Sequence, residues 1–174
     1  MESGRHWRDK RRMTRPLIVA LGLLLLAMRA EALPPKIMVF DFHLDNTSPE
    51  PTSDAETARI ARISDELRAL LRKSGEYDVI DEKPAETRLS DVLWIGHCNG
   101  CELPVARQAG ARLVAYCWVQ KVSDLILNLN IVIEDAKTGK HIAGGSVDIR
   151  GNTNETWDRG VRYMLEEHVF QAHR

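Results

Sequence analysis

The chain has 174 residues, of which 44% are apolar, with 24 Lys and Arg against 25 Asp and Glu, and three cysteines. That balance excludes a disordered, highly charged chain and gives one domain's worth of core-forming sequence. The basic charge is front-loaded. Residues 1–32 hold seven of the basic and three of the acidic side chains, leaving 17 and 22 in the following 142 residues. A net charge of −5 over that stretch argues against a nucleic-acid partner, because phosphate backbones are held by clustered Lys and Arg.

The first residues read as a leader. "MESGRHWRDKRRMTRP" supplies Arg5, Arg8, Lys10, Arg11, Arg12 and Arg15, and the apolar run Leu17–Met28 follows. A basic start, a short apolar centre and the small-residue end Ala30-Glu31-Ala32 have the form of a cleavable signal peptide. Twelve apolar residues are too few to cross a bilayer, which takes roughly 20. The expectation is a signal peptide over residues 1–32 and a single exported α/β domain over residues 33–174. No cysteine follows the run to take a lipid, so no stable membrane anchor is expected after cleavage. Arg11-Arg12 resembles a twin-arginine signal, but the leucine-rich centre fits the general export route better.

The domain opens with "KIMVFDFHL" as an apolar strand. "DNTSPEPTSDAE" is a polar, proline-punctuated loop. Ser53-x-x-Glu56 has capping-box form, and Ile60, Ile63, Leu67, Leu70 and Leu71 recur at helical spacing up to Lys73. Gly75 suits a left-handed helix end, and "YDVID" is a short second strand. "PAETRLSDV" is read as a helical turn and "VLWI" as a short strand or buried segment. "ELPVARQAGA" reads as a short helix with Pro104 in its first turn. "RLVAYCWVQKV" is apolar on both faces, as a central strand should be. "LILNLNIVIED" alternates, with Leu125, Leu127, Leu129, Ile131 and Ile133 on one face and Asn128 and Asn130 on the other. "AKTGK" is a turn, and "HIAGGSVDIR" pairs back as the next strand. Asn152-x-x-Glu155 suggests the cap of a last helix with the stripe Trp157, Val161, Met164, Leu165 and Val169, supported by an Arg162–Glu166 pair. The predicted fold is α/β, a mixed sheet of about five strands in the order β-α-β-α-β-β-β-α, with helices packed on it.

"IMVFDF", "ELRALLRKSGEYDVID", the C-x-x-C followed by "ARQAGARLVAYCWVQKVSDLILNLNIVIEDAKTGK", and "VDIRGNTNETWDRGVRYML" resemble an uncharacterised family of exported proteobacterial proteins. Its layout is similar to the N-terminal domain of TolB and the periplasmic domain of the curli secretion lipoprotein CsgG. The resemblance implies a small envelope domain in the periplasm that works through protein contacts. It transfers no active site, and this sequence lacks the propeller of TolB and the pore-forming parts of CsgG.

"GHCNGCEL" raises the sharpest chemical question. Cys98 and Cys101 flank Asn99-Gly100 just before a helix, where a thiol is made more acidic. A redox centre of thioredoxin type would need a cis-proline from a later strand, and no proline follows Pro104. A metal clamp would need His97, Cys117, His43 or His141 to complete the set, and a single C-x-x-C without a second pair is weak. Haem attachment would need His in place of Glu102. An export route favours the third alternative, a Cys98–Cys101 disulfide that closes a tight loop, with Cys117 a small buried hydrophobe. No catalytic residue, cofactor or metal is assigned.

Asp41 and Asp135 could pair for acid–base work, but strand-end aspartates more often form turns. Trp94, Trp118 and Trp157 are expected in the core. Asp148, Arg150, Asn152, Asn154 and Arg159 form a polar strand-to-helix junction, read either as a contact surface or as a locally capped turn. Function is therefore expected to be that of a non-enzymatic envelope accessory protein with an unidentified envelope protein partner. The alternative is a periplasmic thiol-redox or metal-binding protein using Cys98 and Cys101.

Overall fold

β1 (Lys36–Asn46) buries Ile37, Met38, Val39 and Phe40 in succession, which places consecutive side chains against apolar layers on both faces of the sheet. The computed structural model describes residues 33–80 and 94–171. The expected leader at residues 1–32 and the expected helical turn over 84–92 lie outside the described residues. α1 (Asp54–Ser74) starts where the sequence places it: Ser53 Oγ accepts from the Glu56 amide, and the Glu56 carboxylate accepts from the Ser53 amide at 2.7 Å. Gly75 ends it at φ 73°, a left-handed position that costs glycine little. β2 (Asp78–Ile80) returns parallel to β1.

After a 3-10 turn over Ile95–His97, which takes in the last residue of the stretch read as a short strand or buried segment, α2 (Glu102–Gln108) leads into β3 (Leu113–Lys121). β4 (Ile126–Asp135) and β5 (His141–Arg150) complete an antiparallel meander. α3 (Asn154–Leu165) closes the fold and runs into a π-helical turn over Glu166–Phe170. The sheet order is β2-β1-β3-β4-β5, with β1 parallel to β2 and β3. This is the mixed five-stranded α/β arrangement expected from the sequence.

The helices divide between the two faces. Ile63, Leu67 and Leu71 of α1 join Trp157, Val161, Met164 and Leu165 of α3 over Ile37, Val39, Leu129 and Ile131, all buried. On the other face α2 sets Ala106 against Met38, Phe40, Val114 and Ala136. Three details depart from the sequence reading. Leu125 lies in the β3–β4 turn, 71% exposed, so the buried row of β4 begins at Leu127. The cap of α3 is Thr153, boxed with Thr156, and not Asn152. Arg162 reaches across to Glu66 of α1 at 2.6 Å instead of pairing with Glu166 on its own helix.

Candidate functional site

Cys98 and Cys101 are joined by a disulfide with their Cα atoms 5.5 Å apart. The loop turns this tightly because Asn99 (φ 56°) and Gly100 (φ 95°) are both left-handed, a conformation open to glycine and tolerated by asparagine. Cys101 immediately precedes α2, and Glu102, its first residue, is only 4% exposed. A Glu102 carboxyl oxygen lies 3.4 Å from Cys98 Sγ. Burial raises the pKa of Glu102 above the ordinary carboxylate value, opposed by a hydrogen bond from its own amide and reinforced by the charge of Glu134. Tyr116 is pushed up to about 12, by burial first and then by Glu134 and Glu102. Ligand atoms of Cys98, Cys101 and Glu102 lie within 4.8 Å of one another, and no further group joins them among the described residues. With the sulfurs bonded to each other, neither is the thiolate that a metal requires. Cys117 is buried in the core and forms no disulfide.

The polar junction divides into two sites. Asp148, Arg150 and Arg159 line a groove of about 320 Å³ between β5 and α3, together with Thr156, Gly160 and Tyr163. β5 is an outer strand of the sheet, and among the described residues no strand lies along its far edge. Asp148 accepts from Asn128 at 2.8 Å and Arg159 lies 3.5 Å from Glu155. Asn152 and Asn154 belong elsewhere. Arg59 of α1 donates to both, at 3.0 Å each, which ties the β5–α3 loop to α1.

Asn152 also belongs to a polar cluster that sequence reasoning missed. Lys121 Nζ, 2% exposed as a residue, donates to Glu56 at 2.7 Å and to Asp124 at 3.0 Å. Asn152 Nδ2 donates to the same two carboxylates. Burial opposes the charge on Glu56, yet the hydrogen bonds from Lys121, the Ser53 amide and Asn152 prevail and hold its pKa at about 2. Lys121 is raised by its bond to Glu56, against the opposing effect of burial. A signal was present in the sequence: Lys121 continues the buried alternation of Leu113, Ala115, Cys117 and Val119. The cluster borders an open cleft shared by the start of α1, the β3–β4 turn and the β5–α3 loop. Lys121 is held between two carboxylates, so the cluster ties three elements together, with its remaining negative charge on the exposed Asp124.

The remaining candidates are structural. Asp135 accepts from the Lys137 and Thr138 amides and the Thr138 hydroxyl, forming the β4–β5 turn. Asp41 sits in mid-strand at an irregularity of β1 and pairs with Arg68 at 2.7 Å. Trp157 is fully buried, as expected. Trp94 and Trp118 are half-buried and meet edge to face at 5.6 Å, with His43 stacked on Trp94 at 5.2 Å.

The family described as Protein of unknown function (DUF2380), DUF3280, matches residues 35–169. The chain belongs to this family. No curated protein matches it in sequence. Among solved structures, the LpoB C-terminal domain from Escherichia coli is similar, with TM-score 0.50, 18% identity and coverage of 75% of this chain and 93% of that one. The hypothetical protein CT253 from Chlamydia trachomatis has TM-score 0.50 and 9% identity, covering 76% of this chain and 94% of its own. TolB from Acinetobacter baumannii is similar at TM-score 0.45 and 12% identity, over 81% of this chain and 28% of that one. At these identities the likeness to the LpoB domain is one of fold.

Proposed function

We propose that this member of the DUF3280 family is an exported accessory protein of the cell envelope that acts through protein–protein contact, with β5 and α3 as its contact surface. The observation that carries the reading is the groove beside the unpaired edge of β5. An outer strand offers main-chain donors and acceptors to an extended segment of a partner, and pockets beside it take alternate side chains. Arg150 and Arg159 on its walls favour a segment with acidic side chains, and Tyr163, 52% exposed, supplies an amphipathic contact. The leader-like residues 1–32 and the disulfide fit an oxidising compartment outside the cytoplasm, the periplasm. N-terminal sequencing of the exported protein should begin at Leu33.

The test is site-specific photocrosslinking in native envelopes. A crosslinking residue at Tyr163 should capture one discrete partner, whereas the same residue at Lys137, in the β4–β5 turn, should not. Reversing the charges with Arg150→Glu and Arg159→Glu should abolish the product. Equal capture at both positions, or none at Tyr163, would remove the contact reading.

A further inference from the structure

A buried carboxyl group set against a disulfide is chemically pointed. Glu102 is nearly enclosed, with a carboxyl oxygen 3.4 Å from Cys98 Sγ and a hydrogen bond from its own backbone amide. A disulfide sulfur has no proton to donate, and at 3.4 Å the carboxyl oxygen is in contact with the sulfur that would leave on attack at Cys101. Burial and then the like charge of Glu134 from β4 favour the protonated acid, against the hydrogen bond from its own amide, and Tyr116 from β3 stays neutral. Neither cysteine is fully buried, in contrast to Cys117 in the core.

We propose that Cys98–Cys101 is a thiol–disulfide exchange centre for a dithiol protein or peptide, with Glu102 as the proton donor to Cys98. This activity is independent of any contact at β5. In the first step a substrate thiolate attacks Cys101 Sγ. A bond forms between the substrate sulfur and Cys101, the Cys98–Cys101 bond breaks, and its electron pair goes to Cys98 Sγ. The Glu102 O–H protonates that sulfur, giving a Cys98 thiol and a Glu102 carboxylate. The second substrate thiol, deprotonated by water, then attacks its partner sulfur in the mixed disulfide. Cys101 leaves as thiolate and takes a proton from solvent, as does Glu102. The substrate dithiol is oxidised to its disulfide, and the protein disulfide is reduced by the same two electrons.

Two measurements on the full exported chain test this, with dithiothreitol and glutathione as probes. Reduction by dithiothreitol is followed by acid quench, alkylation and mass. The rate per unit of attacking thiolate should fall for the wild type as pH rises through the Glu102 titration. In Glu102→Gln it should be flat with pH and at least about tenfold lower at the acidic end, the size of a modest general-acid contribution. An unchanged variant, or a ratio constant with pH, overturns the proton-donor role. Glutathione, a monothiol, should be trapped on Cys101 in the acid-quenched wild type. Glutathione mapped to Cys98, or failure of either probe to open the bond in folded protein, overturns the centre, and this arm needs no variant to fold.

Discussion

Lys121 shows how one buried charge can organise a sheet end. An ammonium in an apolar row is tolerated only with its full complement of acceptors, which Glu56 and Asp124 provide. Removing the cation leaves the Glu56 carboxylate buried, so Lys121→Met should destabilise by about 3–5 kcal/mol, measured by urea unfolding. Adding Glu56→Gln should restore part of the loss, since the double variant has no orphan charge. The same pair sets a pH dependence. Glu56 is depressed to about 2, so its contribution is fully present above the ordinary carboxylate range and is lost as pH falls through about 2. After allowance for solvent at the open cleft, about 1–2 kcal/mol should disappear across that acid window, and Glu56→Gln should flatten it. Lys121 is raised, so its share persists until pH passes above the ordinary lysine range. Glu56 was legible as one half of a capping box. Its second bond, to a lysine 65 positions along the chain, was not, because local pattern carries no information about which distant strand end arrives there.

At the scale of elements, β1 and α3 show where close packing limits the sequence. β1 shifts register between Val39 and Phe42, and α1 serves the groups beside the irregularity. Ser64 Oγ accepts from the Phe42 amide at 2.9 Å and donates to the Ile60 carbonyl, while Arg68 reaches the Val39 carbonyl at 3.4 Å. Ser64→Ala leaves a buried amide without its acceptor and should cost about 1–3 kcal/mol in chemical unfolding. α3 meets the sheet through Gly160, where an added Cβ would come within 2.8 Å of both Ile149 and Leu129 side chains. Alanine would gain up to about 1 kcal/mol of helix propensity, but overpacking a closed core costs about 1–3 kcal/mol. The second effect wins, so Gly160→Ala should lower the thermal midpoint. The strands, α1 with both caps, and the apolar stripe of α3 were all readable from periodicity. The bulge and the Arg162–Glu66 bridge were not, because each is decided by the neighbour across the gap; the Thr153 cap is local, but Asn152-x-x-Glu155 offers a competing box one residue earlier. The candidate site is legible in part: the Cys98–Cys101 link follows from spacing and export, whereas the junction, read as contact surface or capped turn, is divided because Arg59 of α1 holds Asn152 and Asn154.

For the whole molecule, the question is how much the Cys98–Cys101 link contributes beside the core. The link closes four residues, and loop-entropy scaling gives it about 2 kcal/mol. It lies at the start of α2, beside the smaller apolar cluster, whereas the large cluster joins α1, α3 and all five strands. Domains of this size are stable by about 5–15 kcal/mol, so the staple is a minor share and its opening cannot unfold the sheet. Cys98→Ala with Cys101→Ala should therefore unfold in one cooperative transition with a thermal midpoint about 4–8 °C lower. Loss of cooperative unfolding would make the link a condition of folding, and reversible exchange at that position would then be incompatible with a folded protein. A small shift means the same fold holds both redox states, which a thiol–disulfide exchange centre requires.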